Sequence, residues 1–277
     1  MRKFAVTFAL LLLALPVFAQ KLTADEVVTK HLNSIGTAEA RAAVQNIMTV
    51  GDVTFKLLSK ADIAIPGRIV LASAGPKNFL GMSLNSNNYP GEQFIYDGKK
   101  TKVALIQNAD KSKLGDLVSG NDSLLEDSLM TGVLSSSWVL SSMESKKVKI
   151  SFDGTRKING KEVYIIGYSR KGSGDLSITL YFDKETFYHV RTDYKRTLSA
   201  PVGSRPALAG YISEVKYQLV EDFSDFKVEN GLTLPHTYRI NYSETGQNGT
   251  IEVEWVCNFL TFAFNQQLDD KTFNTKD

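Results

Sequence analysis

From Lys146 to Phe262 the sequence alternates apolar and polar residues in one segment after another, with almost no helical period. Leu176, Ile178, Leu180 and Phe182 fall on one side; Ser177, Thr179, Tyr181 and Asp183 fall on the other. Ile251, Val253, Trp255, Cys257 and Phe259 repeat the pattern against Glu252, Glu254 and Asn258. Period two is the mark of strands with one greasy and one wet face. So many strands in series must curl around their apolar side, because a flat sheet would leave that side in water. The expected product is an oily concavity too roomy for its own side chains. What fills it is the functional question.

Punctuation along the chain supports antiparallel hairpins. Asp97-Gly98, Asn159-Gly160 and Asn230-Gly231 are tight-turn pairs between alternating runs, with glycine clusters at 172–174 and 246–249. Strands are expected at 44–59 (broken near Gly51), 67–74, 78–85, 92–96 and 99–107. After a gap they resume at 148–152, 162–170, 176–183, 188–196, 209–219, 227–229, 236–242 and 250–262. Thr23-Ala24-Asp25-Glu26 is a capping box opening a helix with Val28, Leu32 and Ile35 on one face, ended by Gly36; an Ala-rich turn over 37–43 follows. Between Lys111 and Met143 the alternation stops. Leu114, Leu117, Val118, Leu124, Leu125, Leu129, Val133, Leu134, Trp138 and Leu140 suggest two or three short helices, with Asp122 as a cap and Ser123 with Glu126 as a second box. No linker is long enough to divide domains, and 198–208 reads as a loop.

The first 19 residues read as an export signal: Arg2 and Lys3, then an apolar run from Phe4 to Leu15, then Val17-Phe18-Ala19 as the cleavage box. The run is shorter than the roughly 20 residues needed to span a bilayer. Residues 20–277 are then one domain, working in the periplasm. Removing the signal takes two positive charges from a formal +2, so the mature chain is nearly neutral. A nucleic-acid partner, which needs a basic field, is not expected. Cys257 is the single cysteine and sits on an apolar strand face, where a thiol behaves as a small hydrophobe.

Signatures of catalysis are poor. His31, His189 and His236 lie far apart in sequence with no neighbour at metal-ligand spacing, and each is read as a solvated side chain. Ser135-Ser136-Ser137 has no nucleophile elbow around it, and Gly98-Lys99-Lys100-Thr101 matches a phosphate loop only superficially. No enzyme activity, metal or cofactor is expected.

Four features together resemble the LolA-type outer-membrane lipoprotein-sorting carriers and their superfamily of periplasmic lipid-binding half-barrels. They are the opening amphipathic helix with its glycine stop before a long strand; Phe94-Ile95-Tyr96-Asp97-Gly98-Lys99; Asn159-Gly160-Lys161-Glu162-Val163-Tyr164 with Leu180-Tyr181-Phe182-Asp183; and Asn230-Gly231-Leu232-Thr233-Leu234-Pro235 with 265–273. The resemblance implies a mainly β (α+β) fold: an antiparallel open barrel with an N-terminal helix and a helical insert over its mouth. It implies an acyl chain of a lipid or lipoprotein as ligand, and an inner- or outer-membrane protein as a possible partner. The residues assigned to the ligand are Leu80, Met82, Leu124, Leu125, Leu129, Val133, Trp138, Ile178, Leu180 and Phe182. The insert is a ligand-facing lid in this reading; the alternative is that it plugs the barrel as core. A sensor or interaction module built on the same barrel is the second functional class. One departure stands out: where the carriers have an Arg before a Pro, this chain has Gly75-Pro76.

Overall fold

A computed structural model of the chain describes residues 22–59, 63–107, 110–171, 175–198 and 214–274. The export segment, the 172–174 turn and nearly all of the 198–208 loop lie outside the described residues.

Helix α1 (Ala24–Ile35) starts at its capping box: Thr23 Oγ1 accepts from the Glu26 N–H (3.2 Å) and the Glu26 carboxylate accepts from the Thr23 N–H (2.7 Å). Its inner face buries Val27, Val28, His31 and Ile35. The segment read as an Ala-rich turn is a second short helix, α2 (Ala38–Ala42), capped by Thr37. Alanine's helix propensity explains the difference once a cap is in place.

Twelve strands follow: β1 (Asn46–Leu57), β2 (Ala64–Ala74), β3 (Lys77–Leu84), β4 (Glu92–Tyr96), β5 (Thr101–Leu105), β6 (Val148–Ile158), β7 (Lys161–Arg170), β8 (Ser177–Asp183), β9 (His189–Leu198), β10 (Val215–Glu229), β11 (Leu232–Gly246) and β12 (Gly249–Phe264). All belong to one antiparallel sheet in the order β5-β4-β3-β2-β1-β12-β11-β10-β9-β8-β7-β6. The first strand pairs with the last, and the curled sheet stays open between β5 and β6. This is an open half-barrel. Because β5 and β6 are the two free edges, the segment joining them must cross the opening.

Several irregularities interrupt the ladders, two of them in β1 and β10. The β1–β12 register slips at Val50/Gly51, where a Cβ on Gly51 would lie 2.1 Å from the Asn258 carbonyl oxygen, so only glycine fits. In β10, Asp225 takes a left-handed φ of 55° and is skipped in the ladder, since Ser224 pairs with Thr237 and Phe226 with Pro235. The sequence reading ends one strand at Leu219 and begins the next at Lys227. Pairing to β11 carries the strand through, with Glu221 turned inward between Leu219 and Phe223.

The crossing segment holds α3 (Lys113–Ser119), α4 (Ser123–Glu126) and 3-10 turns at Gly132–Leu134 and Val139–Ser141. The caps expected around α4 do not form. Asp122 makes no side-chain cap bond, the Ser123 hydroxyl is buried without a partner, and Glu126 is taken by Arg170 (2.7 and 3.0 Å). A bidentate Arg–carboxylate pair outcompetes a cap bond at a four-residue helix. Residues of α1, the insert and the sheet's inner face share one apolar core.

Cys257 faces that core, 0% exposed, and burial pushes its thiol well above the usual range. The native protein should therefore be inert to a thiol reagent at pH 8 and react with one equivalent only in denaturant; rapid labelling of the folded protein would contradict this packing.

Candidate functional site

Every residue assigned to the ligand lies in the one inner core. Leu80 and Met82 of β3 are each 1% exposed, and Ile178, Leu180 and Phe182 of β8 are buried beside Leu124, Leu125, Leu129, Val133 and Trp138 of the insert. Phe79 takes the opposite face, its ring lying against Gly81. Between the insert and β2–β3 the free volume is about 10 Å³, where Leu125, Met130 and Leu134 of the insert fill the space, as close packing of apolar groups favours.

The insert is fastened by side chains, and sequence reasoning missed most of them. Asn78 sits just past the Gly75-Pro76 turn, near where the carriers' Arg would stand. Its amide donates to the Leu125 carbonyl (2.9 Å) and the Ser128 hydroxyl (2.9 Å), and its oxygen accepts from the Ser135 hydroxyl (2.7 Å). Glu221, fully buried, accepts from the Thr131 N–H (3.0 Å) and from the hydroxyls of Tyr194 and Tyr238. Burial raises its carboxyl to about 7 against the pull of those three donors. Arg170 grips Glu126 and Asp127 together, and the Tyr168 hydroxyl donates to Asp127 (2.9 Å). Glu92 accepts from the backbone N–H and the hydroxyl of Ser112 at the start of α3. A signal for Glu221 was present, since it shares the inward parity of Leu219 and Phe223.

The histidines also depart from the sequence reading. His31 and His189 are 1% and 0% exposed, with ring centres 6.1 Å apart. Trp138 stacks on His189 at 5.1 Å and donates its indole N–H to His31 Nε2 (3.1 Å). His31 Nδ1 lies 3.0 Å from the Phe187 carbonyl, so the proton sits on Nδ1 and Nε2 accepts. His189 Nε2 meets the Thr192 hydroxyl (2.9 Å), while its Nδ1 is unpartnered. Two neutral imidazoles thus tie α1, β9 and the insert together. His236 is half-buried against Phe262 and the Glu229 carboxylate (3.1 Å).

One cavity lies at the mouth and another on the far side of the sheet. One of about 270 Å³ opens at the mouth, between Val133 and Trp138 of the insert, Leu32 and Ile35 of α1, Leu232 of β11, and Arg41 of α2. The other, about 860 Å³, lies on the outer polar face of the sheet. Two ion pairs line it: Arg191 with Asp222 (2.6 and 2.9 Å) and Arg239 with Glu254 (2.7 Å). Among the described residues no helix is long and apolar enough to cross a membrane.

No family model matches the chain, and no curated protein matches it. Solved structures similar in fold include a LolA superfamily protein from Nitrosomonas europaea, 11% identical, covering 92% of this chain and 99% of that one at a TM-score of 0.48. A DUF1329 family protein from Desulfovibrio piger is 13% identical, with 90% and 96% covered and a TM-score of 0.43. An outer membrane lipoprotein-sorting protein domain from Vibrio parahaemolyticus is 15% identical, with 89% and 95% covered and a TM-score of 0.40.

Burial lowers His31 to about 4, so the folded protein keeps it neutral where an unfolded chain, with an ordinary value near 6.5, takes up a proton. The unfolded state then binds more protons, and stability is lost as pH falls from 6.5 toward 4. At 1.36 kcal/mol per pKa unit the loss is about 3 kcal/mol. His31→Gln, which leaves an acceptor for Trp138, should flatten this acid limb in urea titrations at pH 7 and pH 4. An unchanged slope would show that His31 is not the group responsible.

Proposed function

We propose that the half-barrel holds the acyl chain of a lipid or lipoprotein on its concave face, with the insert as a displaceable lid. In this reading residues 20–277 act in the periplasm as a carrier or chaperone, without cofactor or catalysis. The observation that carries it is how the insert is attached. It covers the concave face with apolar side chains, yet it adds no strand to the sheet and is fastened through Asn78, Glu221, Arg170, Glu92 and His31.

Helices of seven and four residues have no stability of their own in water, so the insert is ordered only by what it touches. In this reading the insert opens as a local unit while the sheet stays intact, because it contributes no strand to the ladder. An acyl chain entering behind it replaces one set of apolar contacts by another. At roughly 0.8 kcal/mol per buried CH₂, a long chain contributes on the order of 10 kcal/mol before ordering costs. That is enough to offset the exposure of several leucines.

A second reading, a sensor that docks an envelope protein, has the large outer-face cleft in its favour. Transfer separates the two. Acceptor vesicles should strip a bound lipid from a carrier, and a ligand that is never released supports the sensor.

Two substitutions test the lid. Leu129→Glu should abolish most lipid uptake while far-UV circular dichroism of the sheet persists; global unfolding would make the insert core and end the lid reading. Asn78→Ala removes the bonds to Leu125, Ser128 and Ser135, and should cost about 1–3 kcal/mol of stability and speed lipid uptake in stopped-flow fluorescence. Uptake at the wild-type rate would mean that the insert does not gate entry.

A further inference from the structure

The mouth cavity joins two chemistries that the lid alone does not require. Leu32, Ile35, Val133, Trp138 and Leu232 form an apolar wall, with Arg41 and Ser136 on the polar side. At its edge stands Arg41, whose Nη1 donates to the carbonyls of Leu32 and Gly36 at the end of α1. These bonds fix the guanidinium in place and leave Nη2 and Nε for another acceptor. Among the described residues, Arg41 has no carboxylate within ion-pair distance, although most other arginines here are paired with Asp or Glu. The Ser136 hydroxyl, on the same cavity, is buried without a hydrogen-bond partner. A fixed guanidinium with N–H groups to spare and an orphaned hydroxyl on one cavity with an apolar wall suit a ligand with an anionic end and an apolar body.

The geometry points to a headgroup site at the mouth: Arg41, with Ser136, binds the anionic head of a single-chain amphiphile whose hydrocarbon passes between Trp138 and α1. This rests on the acyl-chain reading above and adds the class of ligand, an anionic lipid rather than a neutral one. The guanidinium fork suits a carboxylate or phosphate, because two parallel N–H donors meet two oxygens. Val133 and Trp138 line this cavity and also belong to the insert, so a head held by Arg41 places its chain at the lid's margin.

Decanoate and 1-decanol at pH 8 test the site on the full mature chain, with acetate as the head alone, by titration of tryptophan fluorescence and by calorimetry. Arg41→Gln should weaken decanoate at least tenfold and leave 1-decanol within about twofold. Arg41→Lys, which keeps the charge without the fork, should fall between, and Ser136→Ala should weaken decanoate alone. If Arg41→Gln fails to fold, the Lys and Ala variants decide by the same comparison. Equal decanoate affinity in wild type and variants overturns the headgroup site and leaves the acyl-chain reading standing, as does parallel weakening of both ligands. Acetate bound as tightly as decanoate would make this a small-anion site and overturn the proposal. Failure of wild type to bind either chain overturns both readings together.

Discussion

The pairing of β1 with β12 sets everything else in this molecule. Once the first and last strands are zipped at the centre of the sheet, β5 and β6 become its edges, and the residues between them are obliged to bridge the gap. The insert's position over the mouth follows from connectivity before any side chain is considered. Register does the rest. The slip at Gly51 and the skipped Asp225 bend the longest strands, so the apolar face turns inward around the bridging segment.

Within that frame, polar groups act as fasteners. Buried hydrogen bonds to Glu221, Asn78 and His31 are strong in a low-dielectric interior, and each is costly to leave half-made. They define one closed arrangement of an insert whose leucines alone would specify it poorly. The same interior keeps His31 and His189 neutral and holds Glu221 near the point of protonation. Acid thus acts on these fasteners in opposite directions: it charges the imidazoles and it neutralises the carboxylate.

Strand alternation made the fold legible. It revealed the curled sheet, the hairpins at Asn159-Gly160 and Asn230-Gly231, the capping box of α1, and the inward parity of Leu80, Met82, Ile178, Leu180 and Phe182. Local rules failed where tertiary partners decided. Glu126 left its cap for Arg170, β10 ran through a polar stretch on the strength of its ladder, and Thr37 turned an Ala-rich segment into a helix. The site was half legible. Its apolar members on β3 and β8 follow period two, but Asn78 and the two buried histidines owe their roles to neighbours far along the chain, and one-dimensional spacing carries no trace of those. Volume was the least legible quantity, because a pattern of faces does not say whether a concavity is filled.

The two unpaired edges have a mechanical meaning. A closed barrel has a fixed girth, set by strand number and stagger, and can widen only by breaking ladder bonds. Here β5 and β6 share no such bonds, so a small change of twist, spread over the strands, alters the width of the aperture and leaves all eleven pairings intact. One set of strand pairings is thus compatible with more than one width of the opening.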